Sequence, residues 1–120
     1  MNKRPFGLKH ERLVSTYLEK QDYQILTTNF RSPFGEIDII AIHQHTLVFI
    51  EVKARSSTIY GQPYEAVNKK KLIKITKTGH NFRSQSKIKL PPATRIDVAS
   101  VLTNSQGEII DFQLMQNVTR

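Results

Sequence analysis

Asp38, Glu51 and Lys53 are the residues whose types and spacing point most directly to chemistry. They lie in two apolar runs, Gly35-Glu-Ile-Asp-Ile-Ile-Ala41 and Val48-Phe-Ile-Glu-Val-Lys-Ala-Arg55. Side chains alternate faces along a strand. Glu36, Asp38, Ile40 and Ile42 therefore share one face of the first strand, and Leu47, Phe49, Glu51 and Lys53 share one face of the second. A hairpin symmetric about Gln44–His45 sets Ile42 against Leu47, Ile40 against Phe49, Asp38 against Glu51 and Glu36 against Lys53. Like charges directly opposed destabilise a sheet. Two carboxylates held there need a reason, and a divalent cation is the simplest one. The chain has no cysteine, so thiolate ligation is excluded. Oxygen donors favour Mg²⁺, Mn²⁺ or Ca²⁺ over zinc.

An acid–acid–lysine cluster suits phosphodiester cleavage. The reaction needs charge neutralised on the phosphate, a water deprotonated and the leaving oxygen stabilised. Lys53 would orient or deprotonate the water, or stabilise the developing charge. Glu-x-Lys alone is an ordinary salt bridge at a strand end. The opposed Asp38 gives it functional weight. Glu11 is expected at the border of a helical apolar stripe, where it would face the charged end of the sheet as a third acid.

The elements that must position these groups are legible from periodicity. The 120 residues fit one domain, residues 1–120, with 1–7 as a loose arm. A helix is expected from about Leu8 to Gln21, with Leu13, Val14, Tyr17 and Leu18 as its apolar stripe. A strand over Tyr23–Phe30 leads to a turn, Arg31–Gly35, punctuated by Pro33 and Gly35. The strands Glu36–His43 and Thr46–Ala54 form the hairpin. A polar loop, 55–63, precedes a second helix from about Tyr64 to Arg83, with a break expected near Gly79. Strands at Thr94–Leu102 and Ile109–Met115 close the chain. The order α-β-β-β-α-β-β predicts an α/β fold with a central mixed β-sheet flanked by helices.

Composition narrows the partners. Lysine and arginine total 18 against 10 acids, a formal charge of +8, and a field of that sign draws polyanions. Lys70, Lys74 and Lys77 share a face of the second helix, and Arg31 and Arg55 sit at strand ends near the acids. These five are the expected nucleic-acid contacts, all of the sequence-independent, phosphate-binding kind. Tyr60, in the loop after Lys53, is placed to stack on a base if that loop closes over substrate. His43 and His45 read as exposed turn residues, and Asp97 as structural, pairing with Arg95 or with a helix end. No apolar run is long enough to span a bilayer, and no signal-peptide pattern follows Lys3 and Arg4. The expectation is a cytoplasmic protein with no membrane association.

These motifs, with Gly61-Gln-Pro-Tyr-Glu-Ala-Val67 and Arg95-Ile-Asp-Val98, closely resemble the bacterial YraN family over nearly the whole chain. That family is regarded as related to archaeal Holliday-junction resolvases within the PD-(D/E)xK nuclease superfamily. The resemblance implies a restriction-endonuclease-like fold and a Mg²⁺- or Mn²⁺-dependent endonuclease acting on DNA more than RNA, structure-selective or non-specific, in repair or recombination. By position, Asp38 is the motif aspartate, Glu51 and Lys53 are the (D/E)xK pair, and Glu11 matches the resolvases' helix glutamate. Ile37 stands where the superfamily name has proline, and the segment Leu8-Lys-His10 lacks the family's glycine-rich start. Asp38 and Glu51 are expected to hold the metal, with the Val52 carbonyl as a further ligand and Glu11 assisting. Resolvase kinship implies a homodimer. The alternative is a nucleic-acid-binding protein of the same fold that does not cut. A further rival is an interaction protein whose basic face meets an acidic partner.

Overall fold

A computed structural model describes residues 5–55 and 68–118, with side chains described from His10 onward. The elements are α1 (Pro5–Lys20), β1 (Gln24–Ser32), β2 (Gly35–His43), β3 (Thr46–Arg55), α2 (Lys69–Gln85), β4 (Thr94–Thr103) and β5 (Ile109–Met115). They form one five-stranded sheet in the order β1-β2-β3-β4-β5. β3 and β4 pair in parallel and the other neighbours are antiparallel. The mixed α/β architecture and its element order are those expected.

The sheet positions the site through one register and one divergence. Gln44 and His45, with φ of 51° and 58°, form the two-residue turn that joins β2 to β3. Left-handed conformation at both residues matches the twist of the flanking strands. The expected register follows: Ile42 pairs with Leu47 and Ile40 with Phe49. The ladder ends at Ile39–Ile50. Beyond that point β3 stays paired with β4 as far as Arg55–Leu102, and β2 stays paired with β1 as far as Gly35–Ser32. The two central strands thus part just before Asp38 and Glu51. The expected pairings of Asp38 with Glu51 and of Glu36 with Lys53 do not form, because the strands have separated by then.

Each face of the sheet buries its own apolar cluster. Val14 and Leu18 of α1 pack with Tyr23, Ile39, Ala41, Val48, Ile50, Ala99 and Val101. Full burial of a side chain such as Leu18 contributes about 1.5–3 kcal/mol. Ile75 of α2 packs with Ile37, Ile40, Leu47, Phe49 and Ile96 on the other face. β2 and β3 are therefore covered on both sides, which explains their nearly continuous apolar sequence.

Several boundaries and faces differ from expectation. α1 starts at Pro5, so residues 5–7 belong to the helix rather than to a loose arm. Proline fits a first helical turn, where its missing N–H breaks no bond. Leu13 and Tyr17 are exposed, whereas His10, Glu11, Val14 and Leu18 are buried. The inward face is thus rotated from the expected stripe. α2 begins at Lys69, not Tyr64, because Asn68 caps it: Asn68 Oδ1 accepts from Lys71 N at 2.9 Å. Residues 56–67, with Tyr60 and the expected start of α2, lie outside the described residues.

α2 is unbroken at Gly79. A Cβ there would run into the ring of Phe49, so the glycine is a close-approach residue and not a helix breaker. His43 is buried, not exposed. Its ring stacks on Tyr23 at 3.9 Å, and its Nδ1 accepts from Arg95 Nη2 at 2.7 Å. Arg95 also donates to Asp97, and Asp97 accepts from the Tyr23 hydroxyl at 2.9 Å and from Asn117 N at 2.9 Å. Asp97 is structural, paired with Arg95 as expected.

Candidate active site

Asp38 and Glu51 lie where β2 and β3 part, on the sheet face that α2 covers. Both are nearly buried, at 8% and 7% exposure. Once the ladder ends, β3 amides facing β2 need new acceptors. Asp38 supplies one: its Oδ2 accepts from Val52 N at 2.8 Å. The Asp38 carboxylate therefore replaces a missing strand carbonyl and is fixed by it. A residue's amide and carbonyl leave a strand on the same side, so the Val52 carbonyl also faces this gap.

Glu51 carries two lysines. Lys53 Nζ lies 3.4 Å from its Oε2, and Lys71 of α2 makes a closer ion pair with the same oxygen. Burial and the adjacent Lys71 hold the Lys53 ammonium below its ordinary pKa, against the pull of Glu51. Burial acts most strongly to lower Lys71, but hydrogen bonding to Glu51 and Lys53 and the charges of Glu51 and Asp38 together outweigh it and raise that group. The two lysines are thus pushed apart in proton affinity. Groups separated in this way can divide base and charge-stabilising roles.

These side chains line a hollow of about 330 Å³, bounded by Gly35, Glu36, Asp38, Glu51, Val52, Lys53, Lys71, Lys74 and Ile75. Of the expected site residues, the structure brings together Asp38, Glu51, Val52, Lys53 and Lys74. Glu11 lines a different hollow with Arg12, Ser15, Ile25, Thr28 and Asn29. Asn29, which lines this second hollow, stands between Thr28 and Phe30, and these pair with Ile39 and Ile37 on either side of Asp38. Among the described residues, no group of three histidines or carboxylates gathers as metal ligands.

The expected phosphate contacts surround this hollow in part. Arg31 pairs across the β1–β2 ladder with Glu36, with 3.8 Å between Nε and Oε1, and its side chain is 74% exposed. Arg55 ends β3, two residues past Lys53. Lys70, Lys74 and Lys77 are exposed along α2. Lys71 is the site residue that sequence reasoning missed. The available signal was spacing: Lys71 lies four residues before Ile75 and seven before Thr78, both buried, so it shares the helix face turned toward the sheet.

A mixed α/β domain with two buried carboxylates and two half-buried lysines in a cleft between diverging central strands is the class of protein defined by this fold and site. The chain belongs to the uncharacterised protein family UPF0102, whose model matches residues 10–101. This is the YraN family that the motifs resemble. Relatives include UPF0102 proteins of Caldicellulosiruptor saccharolyticus, 38% identical over 98% of both chains, and of Clostridium acetobutylicum, 40% identical over 89% of this chain and 87% of that one. A UPF0102 protein of Fusobacterium nucleatum is 42% identical over 93% of this chain and 90% of its own.

Proposed function

We propose that the protein is a metal-dependent endonuclease of restriction-endonuclease-like fold that hydrolyses phosphodiester bonds in DNA, acting at the Asp38–Glu51–Lys53 hollow. The observation that carries this reading is the burial of two carboxylates with two lysines in one cleft, at the point where the central strands part. A purely structural salt bridge would need one lysine, not two sharing one carboxylate oxygen.

The donor set fits a hard divalent cation. Mg²⁺ keeps several waters and is often held by one or two carboxylates, so a full protein cage is not required. Asp38 and Glu51 would hold Mg²⁺ or Mn²⁺, with the Val52 carbonyl as a further oxygen ligand. The ion, when bound, supplies Lewis-acid neutralisation of the phosphate. Glu11, which lines a separate hollow, is given an assisting role and is not counted among the ligands. Lys53, with its lowered proton affinity, takes a proton from the attacking water. Lys71, held charged by Glu51, stabilises negative charge on the phosphate oxygens.

Electrostatics of α2 support a polyanionic substrate. Its first turn contains Lys69, Lys70 and Lys71 and no acid. Cations at a helix N-terminus oppose the helix dipole by about 0.3–1 kcal/mol each. Glu51 compensates Lys71, and a nucleic-acid backbone would compensate Lys69 and Lys70. Arg31, Arg55, Lys74 and Lys77 extend the same charge around the cleft.

Purified protein incubated with Mn²⁺ and branched, flapped, single-stranded and duplex DNA is expected to cut at least one of them. Glu51→Ala and Lys53→Ala should abolish cutting while leaving binding largely intact. Cutting by either variant at the wild-type rate would overturn the assignment. Salt-sensitive binding with no metal-dependent product would favour the alternative, a binding protein that does not cleave.

A further inference from the structure

The β1–β2 turn carries an exposed aromatic ring beside the proposed active site. Ser32 pairs with Gly35, leaving Pro33 and Phe34 as the tip. Phe34 is 49% exposed, and the next residue, Gly35, lines the hollow that holds Asp38 and Glu51.

The tip is anchored. Phe34 N donates to Ser32 Oγ at 3.0 Å, and Ser32 Oγ lies 3.4 Å from Oγ1 of the buried Thr78 in α2. Gly35 has φ of 153°, and a Cβ there would meet Thr78 Oγ1 at 3.3 Å and Lys74 Cβ at 3.8 Å. The turn is thus packed onto the lysine-bearing helix. A large apolar ring that neither joins the core nor retreats from water is held on this mount, three residues after the exposed Arg31 and next to Gly35, which packs near Lys74. Aromatic rings interleaved with cations are the chemistry that binds unpaired bases, because every base has a face to stack and a phosphate to neutralise.

We propose that Phe34 is a stacking platform for an unpaired base, so that the site takes strands with an unstacked nucleotide, single-stranded or branched, in preference to continuous duplex. This rests on the endonuclease reading and names its substrate class. In B-form duplex the base faces are covered by their neighbours, and a single exposed ring has nothing to stack on without paying for unstacking.

The test measures binding in EDTA, where cutting plays no part. Fluorescence anisotropy compares a labelled oligothymidine with a blunt duplex of equal length. Phe34→Ala is expected to lose about tenfold in affinity for the single strand and less than about twofold for the duplex. Phe34→Tyr should bind as wild type does. The chain has no tryptophan, so Phe34→Trp gives a single reporter, whose emission the single strand should quench and the duplex should not.

Unchanged single-strand binding by Phe34→Ala, with unquenched Phe34→Trp emission, would overturn the proposal and leave the endonuclease reading standing. Equal losses on both DNAs would overturn it as well. Failure of the wild-type protein to bind either DNA would overturn this proposal together with the nucleic-acid reading.

Discussion

Glu51 Oε2 is the most contested atom in the proposed centre, because Lys53, Lys71 and a divalent cation all seek it. On the proposed reading Lys71 is a charge-matched occupant of the cation site, and it would have to loosen its hold on Glu51 when an ion enters. Lys71→Ala is therefore expected to bind Mn²⁺ several-fold more tightly in a calorimetric titration, and to cut more slowly because phosphate charge is less well stabilised. Weaker Mn²⁺ binding would show that Lys71 supports the carboxylate instead of competing for it. Asp38 has a different constraint, since one of its oxygens is already committed to Val52 N. Truncating it leaves a buried amide without that acceptor, a loss of about 1–3 kcal/mol. Asp38→Ala should thus lower stability in urea titration by that order while abolishing cutting. Asp38→Asn, which retains an acceptor, should abolish cutting with a smaller loss of stability.

At the scale of elements, α2 delivers Lys71 and Lys74, and Gly79 lets it approach β3 closely. Gly79→Ala would gain about 1 kcal/mol of helix propensity. It would also drive a methyl group into the Phe49 ring, which is 5% exposed and hemmed in by the core, and overpacking costs about 1–3 kcal/mol. A net loss of stability is expected in urea titration, and a net gain would show that the ring gives way. The β2–β3 hairpin was legible from the sequence, register included, because strand alternation and a two-residue turn leave one pairing that buries both apolar faces. Its divergence after Ile39–Ile50 was not, since nothing in local pattern says where a strand changes its allegiance to another neighbour. Lys71 was missed for a related reason. Its spacing to Ile75 and Thr78 puts it on the inward face, but a lysine at that border looks like part of the solvated charge run until the distant Glu51 is placed beside it. His43 was misread because its burial depends on Tyr23 and Arg95, both distant in sequence.

At the scale of the molecule, two ends of the sheet have separate tasks. The cleft end carries the proposed chemistry, and the hairpin end is held by the Tyr23, His43, Arg95 and Asp97 network. Burial and the Arg95 charge lower the His43 pKa, against weaker pulls from Asp97 and Asp22. A histidine whose folded pKa lies below its unfolded value, about 6.5, favours the folded state fully only above that value. Stability is lost as pH falls from there through the folded pKa, because His43 must protonate and give up its acceptor at Nδ1. The thermal midpoint should therefore drop between neutral and mildly acidic pH, and His43→Gln should flatten that dependence. If the proposed substrate is DNA, a net charge of +8 predicts binding governed by counterion release. Replacing Lys70, Lys74 and Lys77 with glutamine should reduce the slope of log K against log salt for duplex DNA by roughly 2 to 3. An unchanged slope would remove α2 from the interface.

Whether Asp38 and Glu51 share a cation is decided most directly in crystals soaked with Mn²⁺, by the anomalous signal of the metal. The account predicts a peak in the hollow between these two carboxylates, with Lys71 drawn away from Glu51, and no such peak in Glu51→Ala. A hollow without a peak, with Lys71 still on Glu51 at Mn²⁺ concentrations that support DNA cleavage, would contradict it.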